Sequence, residues 1–313
     1  MFPTFHSSGD LIADRRYGYA IALAEAGDPA AAADLIEQAL ELVPGWVPGW
    51  FALGVAREAA GAGAGALAAF RRAAGLDPDD RLGASLHAAR LAGTTPPAPP
   101  AGYVRALFDA YAPAFEKVLT GRLGYRAPGL VASALAAAAP GRRFAAALDL
   151  GCGTGLMGAA IRERCDRLDG VDLSVAMAAE AEAKGLYDGI RVGEAVADLR
   201  ALTPGSLDLV LAADVFCYLG DLAPVLGAAA RALRPGGLLA FTVEQLAGGD
   251  ADFALKDSLR YGHGQAYLRA VAADQGFDVL SLAAETLRED RGAPVGGLVA
   301  VLRRAGPDPI TRT

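Results

Sequence analysis

In the first hundred residues, small and apolar positions recur at helical spacing and then repeat as a block. Gly27, Ala32, Ala39 and Pro44 return 34 residues later as Gly61, Ala66, Ala73 and Pro78. A block of that length, rich in Ala and punctuated by Gly and Pro, predicts two helical hairpins, Ala13–Trp46 and Val47–Asp80, each apolar on one face and obliged to stack on a neighbour. Leu82, Leu86 and Leu91 continue the spacing through Asp79–Leu91, which predicts a capping helix. The run Gly93–Gly102, GTTPPAPPAG, suits neither a helix nor a core and is expected as a stiff connector. From Tyr103 onward the pattern changes. Helices are expected over Val104–Leu119, Ala127–Ala139 and Leu156–Arg164, and strands near Ala146–Leu150, Asp169–Leu173, Ile190–Glu194, Leu207–Ala212 and Leu238–Glu244. That alternation predicts an α/β fold with a parallel sheet covered on both faces. Phe277–Leu287 and Gly297–Arg303 predict an antiparallel hairpin at the sheet edge. The expected organisation is therefore an all-α repeat unit over residues 1–93, a linker over 94–102, an α/β domain over 103–305 and a tail over 306–313.

Composition agrees with two folded domains. The chain has 313 residues, 53% of them hydrophobic and 21% charged, enough apolar material to exclude a disordered chain. Lys+Arg number 29 against 36 Asp+Glu, a net charge of -7, which argues against a non-specific nucleic-acid binder. Lys117, Lys184 and Lys256 are the only lysines, and with the abundance of Ala and Gly this points to a GC-rich bacterial source. Cys152, Cys165 and Cys217 show no CxxC or Cys/His spacing, so neither a disulfide framework nor a metal site is expected. Met1–Asp10 lacks the basic and apolar regions of a signal peptide, and no stretch approaches ~18 uncharged apolar residues. A cytoplasmic protein with no membrane partner is expected.

The segment Leu148-Asp149-Leu150-Gly151-Cys152-Gly153-Thr154-Gly155 reads as a strand entering a glycine turn that opens a helix, so that backbone N–H groups come close to a ligand. Asp172 closes the next strand, placed to hold ribose hydroxyls. With VDLS at Val171–Ser174, DLVLAADVFCYL at Asp208–Leu219 and LRPGG at Leu233–Gly237, these segments resemble the successive motifs of class I S-adenosylmethionine-dependent methyltransferases. The helical 34-residue block resembles tetratricopeptide (TPR) repeats. Together with the segment Phe108–Pro128, the whole resembles a bacterial family of TPR-containing methyltransferases. The resemblance implies a Rossmann-like seven-stranded sheet with S-adenosylmethionine as cofactor. It places Asp149, Gly151, Gly153, Gly155 and Leu156 at the methionine part, Asp172 and Leu173 at the ribose, Asp198 and Leu199 at the adenine, Ala213 beside the cofactor, and Tyr111 or Phe115 as an aromatic lid. A nicotinamide dehydrogenase shares the topology, and a ligand-free pseudoenzyme remains a further alternative. Against the dehydrogenase, Asp149 would repel a pyrophosphate, and the turn is GxGxG instead of GxGxxG.

Methyl transfer requires alignment of the acceptor with the methyl group, and a base only where the acceptor carries a proton of high pKa. The loops after the fourth and fifth strands offer Asp214, Tyr218 and Glu244, and His263 lies in the polar segment RYGHGQAY, read as a substrate loop. His263 is either a general base or a solvated loop residue. Arg260 either clamps a substrate carboxylate or pairs with a nearby Asp, Cys217 reads as a buried hydrophobe, and His6 and His87 read as structural. No NPPY-like box follows the fourth strand, which disfavours amino-group methylation of adenine or glutamine, and no metal-ligand cluster suggests magnesium-dependent O-methylation. In the repeats, Asp14, Tyr17, Ile21, Ala24, Pro48, Phe51, Val55 and Glu58 are expected to face an apolar groove. The expected activity is methyl transfer to a small-molecule or protein acceptor, with the repeats as an accessory, dimerising or peptide-binding module. The alternative is an adaptor that docks a partner protein for the methyltransferase domain to modify or sense.

Overall fold

The computed structural model describes residues 6–112, 115, 116, 124–246, 248, 251–290 and 292–306. The chain forms two compact units, residues 1–106 and 107–313.

In the first unit, α1 (Leu11–Glu25), α2 (Pro29–Leu42), α3 (Val47–Ala59), α4 (Gly63–Leu76) and α5 (Ala84–Leu91) each pack on the next in the chain. Local chemistry sets their starts: the Asp10 carboxylate accepts from the N–H groups of Ile12 and Ala13, and Asp28 from that of Ala31, with Pro29 in the first turn of α2. A Cβ on Gly54 would stand 2.7 Å from the Phe70 ring, so α3 and α4 meet closely at that glycine. Two residues expected to face a groove lie in the core instead. Tyr17 is edge-on to Trp46 at 5.0 Å, and Phe51 is edge-on to Phe70 at 5.4 Å, both buried. Burying such large rings between successive helices is worth more than exposing them on an open face. Ile21, Ala24, Pro48 and Val55 of the expected apolar set stay partly exposed. His87 stacks on Phe70 at 4.7 Å, and burial pushes its imidazole down to about 4.

The division between units falls inside α6 (Ala101–Tyr111) and not in the Pro-rich run. Tyr103 packs over Gly83, which ties the start of α6 to the first unit. Among the described residues the helix expected over Val104–Leu119 stops at Tyr111; positions 113, 114 and 117–119 of it lie outside them, as does most of the 306–313 tail.

The second unit follows α7 (Ala127–Ala138) with an α/β sheet: β1 (Phe144–Leu150), α8 (Leu156–Ile161), β2 (Cys165–Asp172), α9 (Val175–Ala183), β3 (Gly189–Val192), α10 (Ala195–Ala201), β4 (Leu207–Ala212), α11 (Ala223–Ala232) and β5 (Leu233–Gln245). After them come β6 (Phe253–Leu255), β7 (Tyr261–His263), α12 (Gln265–Asp274), β8 (Phe277–Asp290) and β9 (Ala293–Arg304). Strands β3-β2-β1-β4-β5 run parallel in that order, and β9 enters antiparallel between β5 and β8. All six residues of β4 are buried, as a central strand covered on both faces requires. One core lies around Phe216, Leu226 and Phe241, the other around Val131, Phe144 and Leu168.

The sheet has nine strands where the resemblance implied seven. The additional pair, β6 and β7, occupies the segment expected as a loop. β5 is 13 residues long and β4 only 6, so the end of β5 outruns its neighbour. Glu244 and Gln245 pair there with Gly262 and His263 of β7, while β9 holds the opposite edge of Glu244 through Gly297. Unpaired backbone groups at that buried end would be costly, and β7 satisfies them. No helix among the described residues is long and apolar enough to cross a membrane.

Candidate active site

β1 is paired with β2 and β4, so its end stands at the centre of one edge of the sheet, and the chain there turns through Gly151, Gly153 and Gly155 at φ of +59°, +54° and +91°. A Cβ on Gly151 would come within 2.6 Å of Val215. Glycines in this left-handed conformation, alternating with Cys152 and Thr154, build a concave turn whose N–H groups can converge on a ligand. Beneath it lies Asp149, fully buried. Its Oδ2 accepts a 2.7 Å hydrogen bond from the Tyr187 hydroxyl, which in turn accepts from the N–H of Gly158; Oδ1 is buried with no hydrogen-bond partner. Burial pushes the Asp149 carboxyl up to about 7, the Tyr187 hydrogen bond opposing and the nearby Asp172 adding to the shift. Asp172 ends β2, next to β1, and accepts from the N–H groups of Gly153 and Ser174 at 2.8 Å each. Burial raises its pKa as well. An unsatisfied buried carboxylate oxygen under a glycine cradle fits a ligand that brings a cation against the backbone.

Residues Phe108, Asp109, Phe115 and Glu116 lie at this turn. The Phe115 ring is 3.9 Å from where a Gly153 Cβ would stand, Phe108 packs on Phe115 at 6.1 Å and on Tyr218 at 5.3 Å. Asp109 accepts from the Ser174 hydroxyl, and Glu116 accepts from Thr154 Oγ1 at 2.6 Å and pairs with Lys184. Tyr111, expected as a lid ring, is half exposed; Phe108 takes that place, packed against Phe115.

At the ends of β4 and β5 the structure gathers a buried charge network. Arg288, from β8 and 5% exposed, donates from Nη1 to Asp214 at 2.8 Å and from Nη2 to Glu244 Oε1. Lys256 donates to Glu244 Oε2 at 2.6 Å. Arg260 lies 3.6 Å from Asp214 and 3.5 Å from Glu244, with its guanidinium 5.1 Å from the centre of the Tyr218 ring. Asp214 holds φ of +59° while its N–H donates to Thr242 Oγ1 at 2.8 Å. Burial alone would raise the Glu244 pKa, but Arg288, Lys256 and Arg260 outweigh it and hold the carboxyl below its usual range.

Residues 148–241, which run from the end of β1 into β5, match a family model described as a methyltransferase domain. The second unit contains a methyltransferase domain. S-adenosylmethionine is its cofactor. Over 95 residues the chain is 33% identical to a ubiquinone biosynthesis O-methyltransferase of Xylella fastidiosa, covering 29% of this chain and 39% of that protein. Over 113 residues it is 34% identical to a malonyl-acyl-carrier-protein O-methyltransferase of Salmonella typhimurium, covering 36% and 43%. The chain thus spans about two fifths of the length of the curated relatives it matches. Among solved structures, a 4+2 cyclase superposes with a TM-score of 0.55 at 18% identity, over 68% of this chain and 99% of that one. A 1,6-didemethyltoxoflavin N1-methyltransferase of Burkholderia thailandensis gives 0.53 at 20%, over 66% and 89%. At such identities these likenesses show the fold alone, and a cyclase among them illustrates why.

Within the methyltransferase domain the structure brings Asp149, Gly151, Gly153, Gly155 and Asp172 to one turn, with Leu156 opening α8 and Leu173 following Asp172. Asp198 gives both oxygens to Arg191, at 2.6 and 2.8 Å, so any adenine contact would use a remaining lone pair; Leu199 beside it is buried. Ala213 precedes Asp214, and its carbonyl lies 3.4 Å from the Tyr125 hydroxyl. Asp214, Tyr218 and Glu244 come together around Arg260 and Arg288, neither as free carboxylates nor as an exposed phenol. Cys217 is fully buried, with its thiol directed at the Asp214 carbonyl.

His263 departs from expectation. It lies in β7, fully buried, with Nε2 at 3.0 Å from the Gly220 carbonyl and its ring stacked against Tyr267 at 6.1 Å. A nitrogen donating to a carbonyl cannot also accept a proton, and Nδ1 is enclosed without a partner, so the ring is not placed to serve as a general base. Burial pushes its pKa down to about 4. Imidazole proton resonances followed by NMR are expected to give His263 a midpoint near 4; a midpoint at 6 or above would return the ring to solvent and to the base role. The sequence reading did not single out Arg288, Tyr187, Lys256 or Phe108. Each acts across 12 to 110 residues of chain, on Glu244, Asp149, Glu244 and Tyr218 respectively, and no local spacing signals such pairs.

Proposed function

We propose that this chain is an S-adenosylmethionine-dependent methyltransferase that methylates an oxygen of a small molecule. The single observation that carries the reading is the buried, partnerless Oδ1 of Asp149 beneath the left-handed glycine turn, which suits the ammonium of the cofactor's methionine part. When bound, the cofactor supplies an electrophilic methyl group on a sulfonium. This chain's own residues then bind and align. Asp149 holds the cationic end and Asp172 the ribose hydroxyls, while Phe108 and Phe115 exclude water from the turn. Two relatives named as O-methyltransferases favour oxygen as the acceptor atom. The 34-residue recurrence, with Gly54 packed on Phe70, supports a TPR-like accessory module in the first unit.

Calorimetric titration with S-adenosylhomocysteine is the test, and micromolar binding is expected. Replacing Asp172 with Ala should weaken that binding roughly 10-fold or more, the loss of a charged acceptor. Absence of binding to the wild type, with NAD binding in its place, would overturn the reading.

A further inference from the structure

Resting on the methyltransferase reading, the network around Arg288 carries information about the acceptor. Arg288 bonds to one oxygen of Asp214 and one of the buried Glu244, and Lys256 takes the second oxygen of Glu244. Arg260 is therefore a second guanidinium beside a pair that is already compensated. It touches both carboxylates only at 3.5–3.6 Å through Nη1, and that nitrogen is buried with no hydrogen-bond partner. Three cations face two anions here, and the half-buried Arg260 guanidinium keeps a buried donor nitrogen with no hydrogen-bond acceptor of its own. The hairpin β6–β7 brings this surplus to the site: Lys256 donates its N–H to the Arg260 carbonyl at 2.8 Å across the turn, and Leu259 takes φ of +60° to close it.

The position of Arg260 connects it to the cofactor turn. Gly153, Phe115, Phe108, Tyr218 and Arg260 form an unbroken series of packed neighbours, which links the guanidinium to the aromatic residues beside the cofactor turn. By contrast, the groove of about 470 Å³ lined by Glu244, Lys256 and Arg288 is rimmed by Asp257 and Asp290, which would repel an anion. We propose that the methyl acceptor carries an oxyanion group, a carboxylate or a phosphate, gripped by Arg260 beside the Phe108–Tyr218 pair. The planar fork of Arg matches either group, and the aromatic rings give the body of the acceptor an apolar wall.

The experiment uses the full chain saturated with S-adenosylhomocysteine, titrated calorimetrically with benzoate, phenyl phosphate and benzamide. At least one anion is expected to bind ten-fold or more tightly than benzamide, and which of the two binds better distinguishes carboxylate from phosphate. Arg260→Gln is expected to lose at least ten-fold of that anion affinity while S-adenosylhomocysteine affinity stays within two-fold, and Arg260→Lys to retain part. Equal binding of anions and benzamide, or undiminished anion affinity in the Gln variant, would overturn the proposal. If the Gln variant does not fold, the Lys variant and the wild-type comparison of benzoate with benzamide decide the matter. Failure of S-adenosylhomocysteine itself to bind appears in the first titration, and overturns the methyltransferase reading instead.

Discussion

Replacing Asp149 with Asn is expected to weaken S-adenosylhomocysteine binding by about 1.5–3 kcal/mol at pH 8, roughly 10- to 150-fold, the cost of losing a charged acceptor at a buried site. The same change should abolish a pH dependence that the wild type shows. Burial holds the free Asp149 carboxyl at about 7, so at pH 5.5 it is mostly protonated and cannot meet an ammonium group. Binding must then expel the proton, and wild-type affinity should rise about 30-fold between pH 5.5 and 8 before levelling off. The unliganded protein responds in the opposite sense. A carboxyl whose folded pKa is raised contributes stability below its unfolded value of about 4, and that contribution is lost as pH rises to about 7. Titrations at four pH values on both proteins check this; a wild-type affinity flat across that range would mean that Asp149 does not face the cofactor's cation.

Replacing Arg288 with Met should cost about 1.5–3 kcal/mol, the loss of charged hydrogen bonds to Asp214 and Glu244, with Lys256 and Arg260 still beside the two carboxylates. For a unit of this size that lowers the melting temperature by roughly 7 °C. The loss should depend on pH in a definite direction. Glu244 has a folded pKa below its usual range, so its stabilising contribution is present above about 4.3 and lost as pH falls through the folded value. Removing Arg288 removes much of that contribution, so the two proteins should differ widely at pH 7 and converge below pH 4. Thermal unfolding followed by circular dichroism measures both effects. A deficit below 1 kcal/mol, or one of equal size at pH 3.5 and pH 7, would show that the clamp does not hold the ends of β4 and β5 together.

The sequence by itself determined the elements whose chemistry is local. Residues Leu207–Ala212 read as a strand because a six-residue run with five apolar side chains is too short for a typical buried helix and suits a strand covered on both faces. The glycine turn after Asp149 was legible for the same reason: only glycine adopts φ of +59°, +54° and +91° in succession without strain, and the spacing of those glycines is written in the chain. The 34-residue recurrence likewise announced stacked helical hairpins. Tertiary structure alone decided which side chains face one another. Tyr17 and Phe51 went into the helical core and left the expected groove without its aromatic rings, because burying a ring between helices outweighs exposing it. His263 became a buried strand residue because β5 outruns β4 and needs a partner at its end, a length difference visible only once the strands are paired. Arg288 joined Asp214 and Glu244 from 74 and 44 residues away, through the antiparallel insertion of β9 that carries β8 with it. A carboxylate in the sequence announces only that it can be charged; whether it stays charged, and against which cation, depends on desolvation and distances that only the folded chain sets.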